Sequence, residues 1–223
     1  MDRETIEKMN IRAVLFDMDG TLIDSEPIHQ LALRDVLEVQ GIQVEDAFLN
    51  ALTGLPLNVV YERIVDSTGL NLPCADLLEA KHAAYARRRD DLLPRAGAVK
   101  ALDLLQNKGI RFGVVSNSDR VLVNINLGAM GLTQAGQVTV SRNDVRFGKP
   151  DPEPYLRAAW LMGLPPSKCL VVEDSVPGAN AGLAAGMRVI AWPESHMSDF
   201  KFPNGVEHAD PNDLHDTLSR LLA

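Results

Sequence analysis

Residues 11–24 read IRAVLFDMDGTLID. Ala13, Val14, Leu15 and Phe16 form a short continuous apolar run, the pattern of a central parallel strand covered on both faces by helices. The run ends directly in two carboxylates, Asp17 and Asp19, followed by a Gly-Thr turn. In open α/β sheets ligands gather at the carboxyl ends of such strands, which is where Asp17 falls. Gly20 supplies the backbone freedom to turn the chain over that end. Two acids one residue apart repel each other and lose hydration on burial, so they call for a cation or a split in ionisation. Taken alone, a DxDG turn reads equally well as an Asx-turn with a helix cap, so further members of a site must come from elsewhere in the chain.

Strand-like apolar runs recur at residues 110–116 (IRFGVVS), 137–141 (QVTVS), 168–173 (KCLVVE) and 187–192 (MRVIAW). Helical patterns lie between the later ones, for example at 99–108 with Leu102, Leu104 and Leu105, and at 154–162 with Tyr155, Ala158, Ala159 and Leu161. This alternation predicts βαβ crossovers and an α/β, doubly wound (Rossmann-like) parallel sheet. The gap between the first and second strands is too long for one crossover helix. It reads as helices over 28–40, 56–68 and 75–90, separated by Gly41, Gly54, Gly69 and Pro73. The expected organisation is a core of residues 1–24 and 93–223 with an inserted α-helical cap domain, 25–92, placed to act as a lid over the strand ends.

With 22 basic against 30 acidic side chains, the formal charge of −8 offers no basic surface of the nucleic-acid or anionic-membrane kind. The exception, Arg87, Arg88 and Arg89 on an expected helix, reads as a solvated face. The polar N-terminus MDRETIEKMN has the character of neither a secretory signal nor a transit peptide, and no apolar run approaches about 18 residues. Cys74 and Cys169 are isolated and read as reduced, Cys169 as core packing. The expectation is a cytoplasmic, soluble protein without nucleic-acid or membrane partners, a monomer or weak homodimer.

Three other segments carry chemistry. The second strand ends VVSNSD, which puts Ser116 and Asn117 where Asp17 sits on the first; a hydroxyl and exposed N–H groups there suit a phosphate oxygen, although Ser-Asn is also an ordinary turn. In RFGKPDPEPY, Pro150 keeps the chain extended at Lys149, whose ammonium could act as a point charge on phosphate and on an attacking carboxylate. The fourth strand ends in Glu173 and Asp174, followed by the glycine-punctuated helix SVPGANAGLAAGM. Helix capping by Asp174 or Ser175 is the alternative there. Together, three strands deliver acids or a hydroxyl to one end of one sheet, and a lysine joins them from a loop. The all-oxygen donor set suits Mg²⁺ better than zinc.

The order and spacing of DMDGT (17–21), Ser116 with Asn117, Lys149 in GKPDP, and VVEDS (171–175) resemble the haloacid dehalogenase superfamily, specifically its phosphatase branch with a helical cap inserted after the first motif. The resemblance implies a small-molecule phosphate ester as substrate, such as a sugar phosphate or phosphoglycolate. It implies that Asp17 is the nucleophile that forms an aspartyl-phosphate, and that Asp19 is the general acid and then the base. Mg²⁺ would be held by the carboxylates of Asp17 and Asp174 and the backbone carbonyl of Asp19, with Glu173 helping to hold the metal or its water. Ser116, Asn117 and Lys149 would bind the phosphoryl oxygens, with Thr21 supporting the first loop.

Asp19 also sorts the superfamily's chemistries, because dehalogenating members lack an acid two residues after the nucleophile. P-type ion pumps share the aspartyl-phosphate but need a membrane span. A phosphosugar mutase similar to beta-phosphoglucomutase is the alternative: His29, twelve residues after Asp17, and Lys81 with Tyr85 on a cap helix resemble that enzyme. Against it, the loop LTGLPLN carries Leu57 where the mutase has a phosphate-gripping arginine, which favours hydrolysis. His29 is a candidate link between hinge and acid, or else structural; Lys81 is a candidate substrate contact, or else a solvated helix residue. Arg95, near the return to the core, has no assigned direction. A non-catalytic phospho-acceptor, as in signalling receiver domains, is a remoter alternative, since those domains are shorter and lack a cap.

Overall fold

The apolar runs become short buried strands of one sheet. In chain order the strands are β1 (Ala13–Phe16), β2 (Ile23–Asp24), β3 (Leu93–Pro94), β4 (Arg111–Val115), β5 (Val138–Val140), β6 (Cys169–Glu173), β7 (Arg188–Ala191) and β8 (Glu207–His208). The computed structural model describes residues 11–133, 136–193 and 201–222; the charged N-terminal decapeptide read above lies outside the described residues. Six strands pair in parallel in the order β5-β4-β1-β6-β7-β8. The chain moves outward from β1 through β4 to β5, then returns to the other side of β1 at β6. That reversal is the topological switch point at which such sheets bind ligands.

Every residue of β1 and β6 is buried, as a strand covered on both faces requires. Leu15, Val115, Val140, Val171 and Val189 from the sheet pack with Tyr155 and Ala158 of the helix Glu153–Leu161, with Met162 just past its end, and with Ala179 and Ala181 of the helix Val176–Ala184. Cys169 belongs to this core, and neither it nor Cys74 is in a disulfide. The expected strands and helices agree with the structure to within a few residues. The C-terminal part was not anticipated: β8 has no apolar run, and the helix Leu214–Leu221 follows Asp213, whose side chain caps the Asp216 N–H. No helix among the described residues is long and apolar enough to cross a membrane.

The chain forms two compact units, one holding the residues up to Asp24 and from Leu93 onward, the other Ser25–Leu92. The two passages between them run side by side as the antiparallel pair β2 and β3, with Asp24 opposite Leu93. The second unit is helical: Glu26–Val39, the short Asp46–Asn50, Leu57–Thr68 and Cys74–Arg87. Its first and last helices pack together, with the His29 ring stacked on Tyr85 at 4.4 Å. Arg88 departs from the solvated face expected for the arginine triplet. Its guanidinium makes two hydrogen bonds to Asp35, at 2.8 and 2.7 Å, because the planar fork matches a carboxylate facing it from the first helix.

Candidate active site

The register places Phe16 level with Val114 on β4 and Val172 on β6, so the next residues, Asp17, Val115 and Glu173, share one level at the carboxyl ends. The Asp17 N–H still donates to Val172 O, at 2.9 Å, so the nucleophile candidate is anchored by the sheet before the chain turns away. The turn closes on the Met18 carbonyl, which accepts from the N–H groups of Thr21, Leu22 and Ile23. Gly20 takes φ +77°, and a β-carbon there would stand 2.4 Å from Asp174 Oδ2. Glycine therefore serves both the turn and the close approach of the acid.

Lys149 reaches the centre of the site from its loop. Its Nζ lies 2.5 Å from Asp17 Oδ1, 2.6 Å from Glu173 Oε1 and 2.7 Å from the Val115 carbonyl, so three acceptors meet the three ammonium protons. The side chain of Asn117 clamps the backbone of the same residue: Oδ1 accepts the Lys149 N–H at 2.9 Å and Nδ2 donates to the Lys149 carbonyl at 3.1 Å. The Asn117 side chain thus holds the lysine backbone in place.

Glu173 is fully buried. Oε1 accepts from Lys149 and, at 2.6 Å, from the Tyr155 hydroxyl, while Oε2 accepts from the Ser175 hydroxyl at 2.9 Å. The helix start has to pass close over this carboxylate, and a β-carbon on Gly178 would fall 1.8 Å from Oε1. Asp174 is half-buried and accepts from the Thr21 hydroxyl at 3.3 Å, so Thr21 braces an acid from the first loop. Arg95 faces the back of that loop: it donates to the carbonyls of Gly20 (2.7 Å), Trp192 (2.5 Å) and Pro193 (2.9 Å), and its guanidinium lies 3.7 Å from the centre of the Trp192 ring.

Asp17, Glu173 and Asp174 each offer a carboxylate oxygen within 4.8 Å of the others. One ammonium among three carboxylates leaves an excess of negative charge that a divalent cation would offset. Burial pushes the Asp17 carboxyl well above its ordinary value; Lys149 opposes this, while Glu173 and Asp174 add to it. Burial and then Glu173 push Asp174 up to about 7, against Lys149. For Lys149, burial favours the neutral form, yet Asp17 and Glu173 outweigh it and hold the ammonium protonated. Burial and Glu173 raise the Tyr155 phenol, which keeps its proton for the bond to Glu173. The oxygen donors and the charge excess fit Mg²⁺. The Glu173 oxygens already accept from three side chains, Lys149, Tyr155 and Ser175.

The Asp19 carboxylate points toward the end of β4. Oδ2 accepts from Ser116 Oγ at 3.2 Å and Ser118 Oγ at 2.7 Å, and Oδ1 from Asn126 Nδ2 at 3.0 Å. Sequence reasoning missed Ser118, Asn126, Tyr155 and Ser175 as site residues. Asn126 did leave a signal, a polar residue on the buried stripe Leu122, Val123 and Leu127 of the helix Arg120–Ala129. His29 and Lys81 belong to the helical unit, His29 on its first helix and Lys81 one turn before Tyr85 on its last.

Known proteins resemble this chain over most of its length. The pattern of the haloacid dehalogenase-like hydrolases matches residues 14–192. Fructose-1-phosphate phosphatase YqaB of Escherichia coli (strain K12) is 31% identical over 179 residues, covering 79% of this chain and 94% of that protein. Validoxylamine A 7'-phosphate phosphatase of Streptomyces hygroscopicus subsp. limoneus is 32% identical over 193 residues, covering 84% and 88%. The crystal structure of CbbY from Rhodobacter sphaeroides in complex with phosphate superposes with a TM-score of 0.79 at 24% identity, over 92% of this chain and 96% of that one, and so shares the fold. The acids at the ends of β1 and β6, the lysine between them and the match across almost the whole sheet have one source: this chain belongs to the haloacid dehalogenase-like hydrolase family.

Proposed function

We propose that this protein hydrolyses the phosphate monoester of a small phosphorylated metabolite, of the sugar-phosphate class, with Mg²⁺ and through an aspartyl-phosphate on Asp17. The observation that carries the reading is Lys149 Nζ, held 2.5 Å from Asp17 Oδ1 and 2.6 Å from Glu173 Oε1. A buried, fixed cation beside a carboxylate at a strand end suits phosphoryl transfer, where charge spreads over the transferring oxygens and preorganised positive groups stabilise it.

In this reading an Asp17 oxygen bonds to phosphorus as the ester P–O bond breaks, and the electron pair leaves with the ester oxygen. Asp19 gives that oxygen its proton and the alcohol departs. Asp19, now a carboxylate, takes a proton from water as the water oxygen attacks phosphorus. The bond to Asp17 breaks, and inorganic phosphate leaves with both acids in their starting states. Ser116 contributes its hydroxyl to the phosphoryl oxygens, Asn117 holds Lys149 in place, and Glu173 acts through Lys149. Asp17, Asp174 and the main-chain carbonyl of Asp19 would hold Mg²⁺, which when bound supplies positive charge to the phosphoryl oxygens. The helical unit, with His29 and Lys81, is assigned the choice of substrate as a cap, because the core residues handle only the phosphate. Two relatives are named as phosphatases of fructose 1-phosphate and validoxylamine A 7'-phosphate, the first a sugar phosphate, which supports that class.

The test is Mg²⁺-dependent phosphate release from a panel of phosphorylated metabolites by the purified protein. Release from at least one sugar phosphate, abolished by a chelator and by Asp17→Asn, is expected. Absence of release across the panel, or retained turnover by Asp17→Asn, would overturn the reading. Mutase transfer is disfavoured by Leu57, an exposed hydrocarbon that offers no charge to a second phosphate. Steady production of glucose 6-phosphate from beta-glucose 1-phosphate would reverse that choice.

A further inference from the structure

We propose that Asn126, together with Ser118, is a positioning residue that holds the carboxylate of Asp19 in the orientation its role needs; this rests on the acid–base reading of Asp19 above. Asn126 is fully buried on the apolar stripe of its helix, where an amide is unfavourable unless it is hydrogen-bonded. Its Nδ2 donates to Asp19 Oδ1 at 3.0 Å.

The donor stands on a fixed element. At the start of the helix Arg120–Ala129, the Arg120 N–H donates to Asn143 Oδ1 at 2.7 Å and its guanidinium to Thr139 Oγ1 at 2.7 Å, with an ion pair to Asp144. Asp144 in turn accepts from the N–H and hydroxyl of Ser141, at 2.7 and 2.6 Å. A site residue gains precision when its support is a packed element of this kind.

The two sides of the Asp19 carboxylate meet different chemistry. The amide NH₂ of Asn126 can only donate, and it holds Oδ1 from one side. The hydroxyls of Ser118 and Ser116 hold Oδ2 from the other side. Gripped at both oxygens, the carboxylate has its plane set before substrate arrives, and Asn126 is the donor that stands on the packed helix.

The experiment compares kcat/KM for phenyl phosphate and 4-nitrophenyl phosphate, the same ring with a poor and a good leaving group, in the wild type, Asn126→Leu, Ser118→Ala, Ser118→Thr and Asp19→Ala. Good leaving groups need little protonation, so a lost acid penalises the phenyl ester selectively. Asp19→Ala is expected to show that selectivity most strongly. Asn126→Leu should lose roughly tenfold more on the phenyl ester than on the nitrophenyl ester, as expected for a charge-assisted hydrogen bond. Ser118→Ala should fall in the same direction, and Ser118→Thr, which keeps the hydroxyl, should recover the wild-type ratio. Equal losses on both esters for Asn126→Leu and Ser118→Ala, with Asp19→Ala selective, would overturn the positioning role and leave the acid in place. A nonselective Asp19→Ala would overturn the acid assignment and this inference with it. If Asn126→Leu does not fold, the Ser118 pair decides.

Discussion

Gly20 and Asp174 belong to one packing unit although they follow different strands, β1 and β6: a β-carbon on the glycine would lie 2.4 Å from Asp174 Oδ2. Gly20→Ala is therefore doubly disfavoured, by φ +77° and by the clash. The expected loss of stability is about 1–3 kcal/mol. Mg²⁺ affinity should fall as well, because Asp174 must move. Urea denaturation and a Mg²⁺ titration check both; wild-type values for both would show that the loop yields without cost.

Lys149 is the charge on which two buried acids depend. Lys149→Met should lower turnover by about 10²–10³-fold through loss of a preorganised cation. It should also destabilise the fold by about 3–5 kcal/mol, because Asp17 and Glu173 lose their buried partner. Added Mg²⁺ should restore part of the stability and little of the rate. Denaturation curves with and without Mg²⁺ separate the two effects, and a variant as stable as the wild type would contradict the buried-pair account.

Asp174, pushed up to about 7 in the metal-free protein, predicts proton-coupled metal binding. Below that value the carboxyl holds a proton that the cation has to displace; above it, the ligand is already ionised. The apparent Mg²⁺ affinity should weaken by up to about tenfold per pH unit on the acid side and level off on the alkaline side. Calorimetric titrations on either side of neutrality, in buffers of different ionisation enthalpy, would reveal the released proton. Affinity that does not change with pH would rule out this coupling.

In the helical unit, the Arg88 hydrogen bonds lower the Asp35 carboxyl below its ordinary value. A depressed acid contributes stability that is present above its unfolded value, about 3.9, and is lost as pH falls through the folded one. Arg88→Met should cost about 1 kcal/mol at neutral pH, a modest figure because both side chains are partly solvated. The gap from the wild type should close in strong acid. Denaturation measured across that range tests the sign; a gap that widens in acid would reverse it.

The parts of the site legible in the sequence are those where local chemistry conflicts with local burial. Asp17 after AVLF and Glu173 after CLVV stand out because an apolar run ends in charge, and Lys149 stands out by its motif. The residues that hold these groups were not legible. Asn117 grips the Lys149 backbone across 32 positions and Asn126 reaches Asp19 across 107, so each partnership exists only once β4, β1 and the crossover helices are side by side. Tyr155 read as one more core aromatic because nothing in its neighbourhood in sequence indicates that its hydroxyl meets Glu173. β8 was missed for a different reason: at the sheet's edge, Glu207 and His208 pair through the backbone and need no apolar pattern.

The pairing of Ile23–Asp24 with Leu93–Pro94 makes the inserted unit, topologically, the oversized loop of a β-hairpin. Its two ends leave the core as neighbours in register, so the sheet needs only a short turn at that point to be complete. Shortening, exchanging or rebuilding Ser25–Leu92 leaves the strand order and the acid-bearing loops with the same boundary conditions. The inserted unit can thus change in length or content without altering where the chain leaves and re-enters the core.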